Sequence, residues 1–160
     1  ITITETTSNL LTMGGGIFQS TLQPMVLATQ GNTVNITGDA TVYTLTLGTE
    51  VVDRGGNFSG GTFTAPVTGD YLFVHTWGMS GIAAGHTPLE VYIAATGRTV
   101  YLYSGSNISN AASGFWYDSS STVFRMTAAD TAVVNWKVSG GALAVDVDGT
   151  NTALAVYLLP

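Results

Sequence analysis

Two histidines, ten carboxylates, four basic side chains and no cysteine are all this sequence offers for acid–base, nucleophilic or metal chemistry. Nucleophilic catalysis needs an activated side chain beside a base, and no such motif is present, so the residues point away from an enzyme. His75 follows Tyr71 and Phe73 at strand spacing. That is the parity of a core position, where a satisfied structural histidine is the default reading. His86 falls in the Gly- and Ala-rich segment Gly78 to Thr87 and is expected to be exposed or interfacial. Asp146 and Asp148, two residues apart, share one face if the segment is a strand, and their hard oxygens are of the kind that Ca²⁺ takes. The full alternating acidic loop of a calcium site is absent, however. A Gly-containing hairpin turn at Asp148-Gly149 explains the same letters and is the preferred reading, so no cofactor is required and calcium stays a candidate. Trp77, Trp116 and Tyr117 flank two loops of small and polar residues, Gly78 to Thr87 and Ser104 to Ser113. Aromatic faces beside polar loops suit stacking on a ligand such as a sugar, although burial is the commoner fate of Trp. Trp77, His86, Trp116 and Tyr117 are therefore the candidate ligand-binding residues, and Asp146 and Asp148 the candidate calcium ligands.

Three Asn-x-Ser/Thr triplets, at Asn35, Asn57 and Asn107, match the glycosylation pattern. In a chain this rich in Ser and Thr such matches arise by chance, and they decide nothing.

The elements that must position these residues read as strands. Short runs of Val, Thr, Tyr and Ile recur between Gly, Asn, Asp and Ser clusters, the pattern of an all-β sandwich. Expected strands are Met25 to Ala28, Thr33 to Thr37, Thr41 to Leu47, Thr62 to Ala65 and Gly69 to Trp77. Further on come Leu89 to Ala95, Arg98 to Ser104, Ser113 to Tyr117, Thr122 to Thr127, Ala132 to Val138, Ala142 to Val147 and Thr152 to Leu159. Thr96-Gly97 and Asp148-Gly149 read as hairpin turns. Pro66 has no N–H to donate and marks a strand end. Ile1 to Thr6 alternate like a strand before Met13-Gly14-Gly15-Gly16 breaks the pattern, so residues 1–21 form an arm leading into one domain over 22–160.

Composition narrows the class. Only 9% of the 160 residues are charged while 45% are hydrophobic, less charge than a solitary monomer keeps on its exterior. Self-association is expected. No apolar run approaches the roughly 18 residues that span a bilayer, which argues against membrane insertion. The net charge of −6 and the scattering of Arg54, Arg98, Arg125 and Lys137 argue against nucleic-acid binding, which needs clustered cations. The absence of cysteine leaves no disulfide to staple the fold and favours a microbial or viral source. A start at Ile1, with neither an initiator Met nor a signal pattern, reads as a processed product or a C-terminal fragment.

Phe63-Thr64-Ala65-Pro66-Val67-Thr68-Gly69-Asp70-Tyr71-Leu72-Phe73 resembles a segment of C1q-like domains: Phe, small residues, Pro, then Gly-x-Tyr-x-Phe. Leu89 to Gly97, Ser120 to Met126 with Ala129 to Val133, and the closing Leu154-Ala155-Val156-Tyr157-Leu158-Leu159-Pro160 are similar to later family strands, in the same order. Gly60 and Asn57 depart from the family pattern. The likeness covers roughly residues 22 to 160 and rests on Phe63, Pro66, Gly69, Tyr71, Phe73 and Tyr157, with the four aromatics expected in one interior. It implies an antiparallel two-sheet jelly-roll sandwich of the C1q and tumour-necrosis-factor type, assembled as a homotrimer that binds ligands at its apex or between subunits. With the absent cysteines, low charge and Gly- and Thr-rich N-terminal stretch, the expected role is a non-enzymatic binding head. It would sit on a virion appendage, such as a bacteriophage tail or head fibre tip, and attach to a host-surface glycan or protein. The alternatives are a secreted or cell-surface recognition protein, with or without calcium, and a structural trimer that decorates a capsid without a ligand.

Overall fold

The structure, a computed structural model, describes residues 23–106 and 114–160. The arm expected over 1–21, most of the loop Ser104 to Ser113, and Asn107 lie outside them. Thirteen strands are described: β1 (Met25–Thr29), β2 (Thr33–Thr37), β3 (Val42–Thr44), β4 (Thr49–Arg54), β5 (Phe58–Ser59), β6 (Thr62–Thr64), β7 (Gly69–Ser80), β8 (Leu89–Ala95), β9 (Arg98–Gly105), β10 (Trp116–Met126), β11 (Thr131–Val138), β12 (Val145–Val147) and β13 (Ala153–Leu158). One 3₁₀ turn spans Gly149–Asn151.

Two antiparallel sheets pack face to face. The first is organised on β7, whose one edge pairs with β10 over its length, from Gly69↔Met126 to Met79↔Trp116. Its other edge pairs with β13 and then β12, which in turn pair with β1 and β2, and β4 closes the far side against β1. The second runs β5-β6-β11-β8-β9, with β3 beside β6 on one edge of β11. The fold is thus the expected all-β jelly-roll sandwich.

Side-chain period two places Tyr71, Phe73, His75 and Trp77 on one face of β7, and all four are buried. Phe63 of β6 meets Tyr71 and Phe73 at ring-centroid distances of 5.3 and 5.7 Å, and Phe73 meets Phe124 at 5.3 Å, all edge to face. Such pairs add about 0.5–1.5 kcal/mol each beyond the area they bury. Between β6 and β7 the Tyr71 hydroxyl donates to the Val67 carbonyl at 2.7 Å, tying down the turn that carries the exposed Pro66. Gly69 opens β7 where a Cβ would run into the Leu158 side chain.

Several boundaries differ from the sequence reading. Thr96-Gly97 does close a hairpin, with Ala95 opposite Arg98 and Gly97 at φ 72. Asp148-Gly149 does not. Strands β12 and β13 both run antiparallel to β7 along the same edge, so the 3₁₀ turn is a kink within one interrupted strand rather than a reversal. The two strands expected here, Ser113 to Tyr117 and Thr122 to Thr127, are replaced by one 11-residue strand, β10, which starts only at Trp116 and ends at Met126, because the intervening Asp-Ser-Ser-Ser pairs with β7 instead of turning; Ser113 lies outside the described residues. Strands β4 and β5 were not expected. Tyr157 also lies elsewhere than expected: it sits opposite Leu72 and Met25 on the outward face of the first sheet, while Leu154 and Val156 point into the core.

Candidate functional site

Each histidine is committed to structure on both ring nitrogens. His75 is fully buried between the sheets. The Trp136 indole N–H of β11 donates to its Nε2 at 3.1 Å, so Nδ1 carries the proton and donates to the Ala153 carbonyl at 2.8 Å. Trp77 stacks on the same imidazole, with centroids 5.5 Å apart. Burial drives its pKa from 6.5 down to about 4, and the hydrogen bond to Ala153 opposes that only in part. His75 is therefore a neutral tie between the two sheets.

His86, expected exposed or interfacial, is buried. Its Nδ1 accepts from the Ala83 N–H at 3.0 Å and its Nε2 donates to the Ala142 carbonyl at 3.1 Å. The cause lies in its neighbours: Gly38 and Gly141 come so close that a Cβ on either would collide with the ring or its partners. Glycine makes room for the imidazole to tie its own loop, through Ala83, to the loop that carries Ala142.

The remaining candidates separate by depth. Trp77 is buried, and its indole N–H is the one buried side-chain polar group without a partner among the described residues. Trp116 is half-buried against Tyr103, with centroids 4.9 Å apart. Tyr117 is exposed, and the ring of Phe115 stacks on it at 6.1 Å and 11°. Phe115 is not among the ligand-binding candidates that the sequence suggests; its two-residue spacing from Tyr117 is the signal that would have added it.

Asp146 and Asp148 come together on the wall of a shallow hollow of about 330 Å³ that also meets Asn32, Val34, Ser80 and Phe115. Asp148 caps the 3₁₀ turn: its Oδ1 accepts from the Thr150 N–H at 3.0 Å, and its Oδ2 accepts from the Asn151 amide at 3.1 Å and the Tyr117 hydroxyl at 3.0 Å. The hydrogen bond from Asn151 leads in holding its pKa below the usual carboxylate value. The Tyr117–Asp148 hydrogen bond in turn leads in raising the pKa of Tyr117. Asp146 Oδ1 accepts from the Asn35 N–H at 2.7 Å. Calcium takes six to eight oxygens. Here both oxygens of Asp148 are spent on the turn, and no group of three or more acidic, histidine or cysteine side chains converges among the described residues. The donor set does not fit the ion.

A second feature is broader. The outward face of the first sheet carries Leu72, Val74, Tyr157, Ala155, Met25 and Leu27 in adjacent cross-strand positions. Val123 and Val52 extend it on either side, and all eight are partly or fully exposed. Charge appears only at its margins, as in the Arg125–Asp70 pair.

No family model matches the sequence, and no curated protein matches it. Solved structures do. The globular domain of zebrafish complement 1qA protein aligns over 86% of this chain and 98% of its own, with a TM-score of 0.57 and 15% identity. Murine APRIL, in a crystal structure at pH 8.0, aligns over 86% and 99%, with a TM-score of 0.55 and 19% identity. Identity at this level speaks to fold alone, and the chain has the jelly-roll fold of C1q and tumour-necrosis-factor-like domains.

Proposed function

We propose that this protein is a non-enzymatic recognition head that assembles as a homotrimer through the outward face of its first sheet. We place it at the virion surface, on the tip of an appendage such as a bacteriophage tail or head fibre, attaching to a host-surface glycan or protein. The observation that carries the assembly is that uncharged face, with Leu72, Val74 and Tyr157 at its centre. Contiguous apolar surface of this kind marks contact with another protein, and a chain with 9% charged residues has little else with which to stay solitary. Two histidines locked in structural hydrogen bonds on both ring nitrogens support a role without catalysis. Lack of cysteine supports a particle-borne head, since robustness then rests on subunit packing.

Adsorption tests this reading. The fluorescently labelled chain is incubated with a panel of bacterial strains and competed against particles that carry it. Adherence to the strains the particles infect, with competition, is the expected result. A chain that adheres to none of them while the particle does would leave a purely architectural trimer.

A further inference from the structure

Three large exposed apolar side chains gather at one end of the sandwich: Val34, 68% exposed, Phe115, 48%, and Tyr117, 52%. Val34 and Phe115 line the hollow with Asp146 and Asp148, and Tyr117 stacks on Phe115. Among the described residues nothing donates to Asp146 Oδ2, whereas Oδ1 is held by Asn35. No basic side chain of the chain lines the hollow. Lys137 pairs with Glu90, Arg125 with Asp70, Arg98 lies over the Phe124 ring, and Arg54 stands in β4 opposite Met25. These four are all the basic residues the sequence contains.

We infer that this hollow receives a basic side chain, an arginine or lysine, from a protein partner, with its cationic head on the Asp146 carboxylate and against the Phe115 ring. The assignment rests on the recognition role proposed above. Ring faces attract cations, and a carboxylate without a cation of its own favours the same group, so charge and apolar lining select one chemistry. A neutral sugar would use the rings and leave the charge unmatched. Calcium would find too few oxygens. Arginine fits best because its planar guanidinium both stacks on aromatics and pairs with a carboxylate.

The test titrates the full-length ¹⁵N-labelled chain with N-acetyl-arginine amide and with its uncharged citrulline counterpart. The expected result is shifts of the Val34, Phe115 and Asp146 backbone resonances with the arginine compound and not with citrulline. Asp146→Asn, which keeps an oxygen for the Asn35 N–H, weakens binding roughly three- to fivefold, as does Phe115→Ala, the range for a partly exposed charge pair or cation–π contact. Silence with both compounds, equal shifts with both, an unchanged affinity in Asp146→Asn, or the same resonances moved more strongly by calcium chloride alone would each overturn the assignment. Cell adsorption separates the two proposals. If it persists while the arginine compound fails to bind, only this inference falls; if arginine binds and no cell adsorbs the chain, the attachment role falls instead.

Discussion

His75 shows at the scale of one residue how a polar group becomes part of a core. Its imidazole accepts from one sheet and donates to a backbone carbonyl of the other, a pattern only the neutral ring can satisfy. Because the folded-state pKa of about 4 lies below the ordinary 6.5, the unfolded chain binds the extra proton first. Stability is then full above about pH 6.5 and declines as pH falls toward 4, by about 3 kcal/mol in all. Thermal unfolding as a function of pH should show this slope. His75→Phe should flatten it while lowering stability at neutral pH by about 1–3 kcal/mol, since the Trp136 N–H loses its acceptor. An unchanged slope in the variant would assign the acid sensitivity elsewhere. Asp148 makes a parallel case for a carboxylate that serves the backbone. Asp148→Ala should cost about 1 kcal/mol as a lost cap, and calcium chloride should move the melting temperature of neither protein.

Among elements, the turns hold the fold's tightest constraints. Gly61 precedes β6 at φ 84, where a Cβ would strike the Leu45 carbonyl, whereas Gly97 closes the β8–β9 hairpin at φ 72 with open space around it. Gly97→Ala should therefore cost only the left-handed conformational penalty, about 1 kcal/mol. Gly61→Ala should cost at least about 2 kcal/mol, because the same penalty is joined by a backbone clash. Urea midpoints of the two variants give the comparison. The strands themselves were legible where one face is apolar and the other polar, as in β7 and β8. They were less so where the chain carries charge or hydroxyls: β4 contains Glu50, Asp53 and Arg54, and the serines of β10 imitate a loop while pairing fully with β7. Tyr157 falls on the outward face rather than in the expected interior; Leu158 and Leu159, which follow it, blur the alternation in the sequence, and a one-residue slip in phase turns every side chain over. The candidate site was partly legible: Tyr117, Asp146 and Asp148 meet at one rim, while Trp77 and His86 are buried away from solvent. What linear spacing could not convey was that glycines enclose His86 and that β12 and β13 continue rather than reverse.

For the whole molecule, the misplaced tyrosine matters most. Were Tyr157 in the core, the outward face of the first sheet would lose its central aromatic; on that face, it joins Leu72, Val74, Met25 and Leu27 in a continuous uncharged surface. Covering such a surface is worth about 25 cal/mol for each Å² of apolar area removed from water, whereas an arginine at its centre would be desolvated without a partner. Sedimentation velocity of the purified chain at micromolar concentration, beside Leu72→Arg, tests the account most directly. The parent should sediment as a single species of three chains, and Leu72→Arg as a folded monomer with an unchanged far-ultraviolet spectrum. A parent chain that remains monomeric at that concentration, or a Leu72→Arg variant as trimeric as the parent, would contradict it.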